Sequence, residues 1–267
     1  MNRIIRLIGL CFLILASNLP LAADARNFYS IVVADTRDSR VGKSVTQDFL
    51  HMRQKMQDIA NYTEMTLKEI ILTNYDANPT LVLRKLKEAQ INHNDVVVFY
   101  YAGHGYRTES KGDSPWPNLA FSVSSKGLTY ESIMSELSNK HPQFLLTLVD
   151  ICNNVIPEAS APPVITSTLR RATEDKNLIN NYRLLFSNIT GTIFIAGASV
   201  GEYSYGFEDG GLYTNAFLKS MNTEVNKKSG PAKWQNILKN AYNIASDPKS
   251  EDIEHPYSEI NIKELAG

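Results

Sequence analysis

Two stretches of the chain, Asp95-Val-Val-Val-Phe-Tyr-Tyr101 and Phe144 to Val149, are apolar at nearly every position instead of alternating with polar residues. A strand with that pattern has to be covered on both faces, which points to a largely parallel sheet lying between helices. The sequence around them agrees. Lys43 to Tyr62 places Val45, Phe49, Met52, Met56 and Ile59 three or four residues apart, the spacing of a helix with one buried face. Tyr29 to Asp35, Thr66 to Leu72 and Thr192 to Ala196 read as further strands. Helices are expected from Asn78-Pro79 to about Gln90, over Tyr130 to Leu137, Tyr213 to Met221 and Lys233 to Ala245. Strands alternating with helices imply right-handed crossovers and place ligand chemistry beyond the carboxyl ends of the strands.

The first residues differ from the rest. Arg3 and Arg6 precede the apolar run Leu7 to Ala16, and small residues follow in Leu-Ala-Ala-Asp-Ala at 21–25. That order is that of a secretory signal peptide cleaved after Ala23 or Ala25, and the apolar run is short for a span that needs about 20 residues. The expected product is exported, periplasmic or extracellular, without a stable membrane anchor. Of the two cysteines, Cys11 lies in this leader, so the mature chain keeps one thiol, Cys152, with no internal disulfide partner. A formal net charge of -1 gives no electrostatic reason to bind nucleic acid.

Cys152 follows the strand Phe144 to Val149 in Asp150-Ile-Cys152, and His104 follows the other apolar strand in Gly103-His-Gly105. Glycines allow a tight turn that projects the imidazole over the sheet edge, and a thiol needs a positioned base to become an effective thiolate. His51, His93, His141 and His255 have no comparable setting. A strand ending in His-Gly, followed 48 residues later by a strand ending in Asp-x-Cys, resembles the caspase and metacaspase superfamily. The similarity continues through Ala198-Ser199-Val-Gly201-Glu202-Tyr-Ser204-Tyr205 and Gly211-Leu-Tyr-Thr214. It implies a caspase-like three-layer α/β/α sandwich with a mostly parallel central sheet. It also implies peptide-bond hydrolysis by Cys152 as nucleophile and His104 as proton-transfer partner, with the backbone N–H groups of Gly105 and Cys152 holding the oxyanion.

Where caspases carry the glutamine of a Gln-Ala-Cys signature, this chain has Asp150, and Gly206 stands where they carry a pocket arginine. An acidic pocket attracts Arg or Lys side chains. Asp35 and Asp38 are candidates for a second pocket acid, Arg40 resembles the place from which caspases supply a pocket arginine, and Tyr205 is a further substrate-binding candidate. Asn153-Asn154 departs from the family's pattern after the cysteine, and Arg170-Arg171 is a candidate self-cleavage point. No cofactor or metal is assigned, although Asp35, Asp38, Glu208 and Asp209 are carboxylates that a calcium site would need. The expected organisation is a signal peptide at 1–25 and a catalytic domain at 26–250. Within it lie a large-subunit-like part at 28–155, a linker at 155–188 and a small-subunit-like part at 189–250, and a tail follows at 251–267. The partner is a protein or peptide substrate, and the competing reading is an inactive caspase-like domain that binds a partner without cutting it.

Overall fold

A computed structural model describes residues 26–155 and 176–265. The leader with Cys11 and the Arg170-Arg171 pair lie outside the described residues.

The described residues begin with strand β1 (Asn27–Ala34), helix α1 (Gly42–Thr63), strand β2 (Thr66–Thr73), helix α2 (Pro79–Glu88) and strand β3 (Val96–Ala102). Three short strands follow, β4 (His104–Tyr106), β5 (Asn118–Phe121) and β6 (Ser124–Thr129), then α3 (Tyr130–Ser138) and β7 (Phe144–Asp150). The remainder is α4 (Lys176–Tyr182), β8 (Ile189–Ala196), the hairpin β9 (Gly206–Phe207) and β10 (Gly210–Gly211), α5 (Leu212–Val225), α6 (Trp234–Ala245) and β11 (Tyr257–Glu264). The central sheet has six strands in the order β11-β8-β7-β3-β1-β2, parallel throughout except for the antiparallel edge strand β11.

Both faces of this sheet are covered, as the two unbroken apolar runs require. On one side Val98, Tyr100, Leu146 and Leu148 pack against α1, α4, α5 and α6, with Phe144, Phe186, Phe217 and Trp234 forming an aromatic cluster. On the other, Val97, Phe99, Leu145 and Val149 meet α2, α3 and the small sheet β4-β5-β6. Each large side chain buried this way contributes about 1.5–3 kcal/mol. Thr147, the polar residue within β7, is accommodated by Tyr130, whose hydroxyl lies 2.6 Å from Thr147 Oγ1 and donates to the Ile195 carbonyl at 3.0 Å.

The small sheet β4-β5-β6 has no counterpart in the sequence reading, because its strands of three to six residues are too short to show a period. The stretch expected as linker up to residue 188 contains α4 and a π-turn at Arg183–Ser187. The segment expected as a tail is also part of the domain. β11 pairs with β8 along its whole length, and Tyr257 packs edge-on to Trp116 at 5.1 Å. Among the described residues no helix is long and apolar enough to cross a membrane.

Shortening the chain after Pro256 removes this strand and uncovers the β8 edge. We expect the melting temperature to fall by at least about 5 °C, given that each kcal/mol shifts a domain of this size by roughly 2–4 °C. An unchanged melting temperature would show that residues 257–267 are an accessory tail.

Candidate active site

The pairing of β3 with β7 sets Ala102 opposite Asp150. Two residues past that level on each strand stand His104 and Cys152. Gly105 is packed so closely on the second segment that a Cβ there would collide with the Cys152 carbonyl and lie 2.7 Å from Ile151 Cβ. Only glycine permits this approach. The contact continues as Arg107 N–H donates to the Asn154 carbonyl at 2.9 Å, so the histidine and cysteine segments run side by side.

Among the described residues, both hydrogen-bond-range contacts of Cys152 Sγ are with the Ser204 backbone: Ser204 N–H at 3.4 Å and the Ser204 carbonyl at 3.7 Å. Burial pushes the thiol above its ordinary pKa; the Ser204 N–H opposes this, and the charges of Glu254 and Asp150 add to it. A raised pKa favours the neutral thiol over the thiolate. The Cys152 N–H has no carbonyl acceptor among the described residues, as an oxyanion donor requires. His104 is about one-quarter exposed, and its Nε2 lies 3.2 Å from Asp38 Oδ1. The two atoms are in contact without hydrogen-bond alignment, and they form an ion pair only when the imidazole is protonated.

Asp150 is buried behind the cysteine. Its Oδ1 accepts from Ser204 Oγ at 2.6 Å, and its Oδ2 accepts from Thr214 N–H at 2.8 Å and Thr214 Oγ1 at 2.7 Å. Tyr100 in turn donates to Thr214 Oγ1 at 2.7 Å. Two more buried carboxylates feel the charge of Asp150, neither anticipated from the sequence. Asp48 on α1 accepts the Gly211 N–H at 2.8 Å, and Glu254 accepts the Tyr205 N–H. A Cβ on Gly211 would collide with the Asp150 carboxylate and come within 3.3 Å of Asp48 Oδ2, which shows how close the two acids lie. Burial raises the pKa of all three. For Asp48 and Glu254 the charge of Asp150 adds to the rise; for Asp150 the Ser204 and Thr214 donors oppose it.

Asp48 does carry a sequence signal, since it falls between Val45 and Met52 on the apolar stripe of α1, where an unpaired charge is costly. Glu254 carries none. It reaches the cluster because the segment before β11 folds back over the 199–205 loop, where Glu202 pairs with His255 Nδ1 at 2.7 Å and Ser199 Oγ donates to the His255 carbonyl.

The other expected pocket residues are placed differently. Asp35 lies on the opposite side of the sheet from Asp150: Ile31 and Val33 face the layer of α2 and α3, whereas Leu146 and Leu148 face α1 and α5. Strand alternation thus sends the Asp35 carboxylate to Ser122, whose N–H and Oγ both donate to it at 2.6 Å. Arg40 is 48% exposed and lies 3.8 Å from Asp38, outside the carboxylate cluster. Asp38 itself belongs with His104. Tyr205 joins the cluster through its backbone, with its ring partly exposed.

Asn153 and Asn154 are structural struts. Asn153 Nδ2 donates to the Pro115 and Ala198 carbonyls, while its backbone exchanges hydrogen bonds with the loop at Gly201 and Glu202. Asn153 Oδ1 also receives Arg107 Nη1 at 3.4 Å; that buried guanidinium further bonds the Gly112 and Ser114 carbonyls. Among the described residues no group of three or more His, Cys, Asp or Glu is arranged to hold a metal ion.

The buried acids carry a stability signature. A carboxyl whose folded pKa is raised contributes stability that is fully present below its unfolded value, about 3.9 for Asp, and is lost as pH rises through the folded value. Asp48→Asn removes that loss. The variant is expected to melt higher than wild type, with a difference that grows from about pH 4 upward and then levels off, in a series of thermal melts across pH. A difference independent of pH would contradict the burial-raised acid.

Residues 43–251 match the caspase domain family. No curated protein matches the chain. Among solved structures, the crystal structure of caspase-1 from Spodoptera frugiperda is similar in fold, with a TM-score of 0.58 at 10% identity over 88% of this chain and 86% of that one. The family match spans most of the 267 residues and contains both strand ends just described, so the chain belongs to the caspase domain family of cysteine peptidases.

Proposed function

We propose that the chain is an endopeptidase cutting after Arg or Lys, using Cys152 as nucleophile and His104 as general acid and base. What carries this reading is a Cys-His pair set against three buried carboxylates, Asp48, Asp150 and Glu254, that have no basic side chain bonded to them among the described residues. A buried carboxylate without a cationic partner is unfavourable, and a substrate guanidinium or ammonium entering beside Cys152 supplies that partner at the moment of binding. The exported location implied by the leader at 1–25 belongs to the same proposal.

In the reaction, the Cys152 thiol gives its proton to the His104 imidazole and the thiolate attacks the scissile carbonyl carbon. The carbonyl electron pair moves to oxygen, and the oxyanion is held by the backbone N–H groups of Cys152 and Gly105, each worth roughly 3 kcal/mol in the transition state. The imidazolium then protonates the leaving amine as the C–N bond breaks. Water, deprotonated by the same imidazole, releases the acid from the thioester and restores the thiol. At rest Sγ bonds the Ser204 backbone and makes no hydrogen bond with His104 among the described residues, so the thiol has to turn away from Ser204 to meet the imidazole. This resting contact is also what favours the second reading, a domain that binds peptides without cutting them.

A peptide library incubated with the full chain and with Cys152→Ala separates these. We expect cleavage after Arg and Lys that disappears in the variant, and at least a tenfold rise in KM for Asp150→Asn, from loss of a charge-assisted contact of about 1.5–3 kcal/mol. Cleavage confined to Asp would eliminate the basic-pocket assignment. Saturable binding of peptides without any product would establish the second reading.

A further inference from the structure

Asp38 sits in the loop between β1 and α1, and three features set it apart from an ordinary loop acid. Its carboxylate is only 10% exposed; its Oδ1 accepts the N–H groups of Arg40 at 2.8 Å and Val41 at 3.1 Å; and the same oxygen lies 3.2 Å from Nε2 of His104. The two backbone donors fix the carboxylate at the entrance to α1, independently of the histidine. Burial works against its ionisation, but the Arg40 and Val41 N–H groups and the His104 ring outweigh that and hold its pKa below the usual value. His104 Nε2 is buried and has no other partner.

We propose that Asp38 is a positioning residue for His104, making the active site a Cys152-His104-Asp38 triad. The proposal rests on the Cys-His chemistry above, but its test does not depend on peptide turnover. With Nε2 committed to Asp38, Nδ1 is the nitrogen that takes the Cys152 proton. When the proton moves from Sγ to Nδ1, the ring becomes a cation carrying N–H groups at both nitrogens. The ionised Asp38 then faces the new positive charge, and a modest shift of the ring straightens the Nε2 contact into a hydrogen bond. Asp38 never takes the proton. It favours the thiolate-imidazolium pair over the neutral pair, which matters here because burial and the charges of Glu254 and Asp150 push the thiol the other way. The other titratable or charged groups at this corner are Arg40, 3.8 Å from Asp38; Asp35 and Tyr101 beneath the Gly103 turn; and Cys152 itself. Arg40 is half exposed and Asp35 is occupied by Ser122, so the ionised group with direct access to the ring is Asp38.

The test is the pH dependence of iodoacetamide labelling at Cys152 in the full chain, with the labelled peptide resolved from Cys11 by mass spectrometry. Asp38→Asn preserves an oxygen to accept the Arg40 and Val41 N–H groups and removes the charge. We expect its labelling at neutral pH to fall about tenfold, the effect of destabilising the ion pair by one pH unit, and the profile to move toward that of an unassisted thiol that reacts only in alkali. Asp38→Glu should recover part of the rate. In a His104→Ala background, Asp38→Asn should change nothing, because the two groups act as one unit. Where peptide cleavage is measurable, the alkaline limb of kcat/KM should move to lower pH in Asp38→Asn. Labelling that keeps the wild-type pH profile in Asp38→Asn, or an equal loss with and without His104, would overturn the triad. So would an altered preference between Arg and Asp substrates at unchanged labelling, which would make Asp38 a pocket residue. A wild-type chain that labels as described yet cleaves nothing would reject the endopeptidase reading and leave the triad standing.

Discussion

The parallel pairing of β3 with β7 is the contact on which the site depends. Neither strand holds the other's functional residue in its own sequence neighbourhood, yet the register that sets Ala102 against Asp150 brings His104 and Cys152 to the same level beyond the sheet edge. That register is enforced from both faces. A one-residue slip would turn Leu146 and Leu148 away from α1 and α5 and deliver Leu145 and Val149 into the wrong layer. Gly105 then removes the last obstacle, letting the histidine turn lie directly on the Cys152 carbonyl and the Ile151 side chain.

Around this pair the protein holds two kinds of carboxylate with opposite tuning. Asp38 is kept ionised by backbone donors and the histidine ring. Asp48, Asp150 and Glu254 are pushed toward their neutral forms by burial and, for Asp48 and Glu254, by the Asp150 charge. In the proposed mechanism the first arrangement would support a cation formed by proton transfer to His104, and the second a basic substrate side chain. Buried acids without a cationic partner are costly, and donors from Ser204, Thr214, Gly211 and the Tyr205 backbone offset part of that cost. The 199–205 loop belongs to both arrangements. It covers the Cys152 thiol and, through Glu202 and Asn153, ties it to the segment leading into β11.

Several elements were legible because their pattern is local. The apolar spacing of α1 matches the helix over Gly42–Thr63 within a residue at each end, and the apolar runs of β3 and β7 mark the two strands that lead to His104 and Cys152. The adjacency of the His104 and Cys152 segments could be anticipated because glycines flank His104 and both residues follow buried strands. Asp35 shows the limit of such reading. Both it and Asp38 lie in the same short stretch after β1, but Asp35 faces Ser122 and Asp38 faces His104, and that difference comes from strand alternation and the turn that follows. Asn153 and Asn154 looked like a departure at the site and are instead buried connectors for the loops around it.

By itself, then, the sequence determined the α/β class, the two buried strands and the residues at their ends, because periodicity and glycine placement are properties of neighbouring residues. It also placed Asp150 where the caspases it resembles carry a glutamine. The tertiary structure alone decided that Asp48 and Glu254 join Asp150, that Asp38 belongs to His104, and that residues 257–264 close the sheet as an edge strand. Those groups are separated by tens to hundreds of residues along the chain, and only the packing of α1, α5 and the last strand onto one side and one edge of the sheet brings their charges within reach of each other.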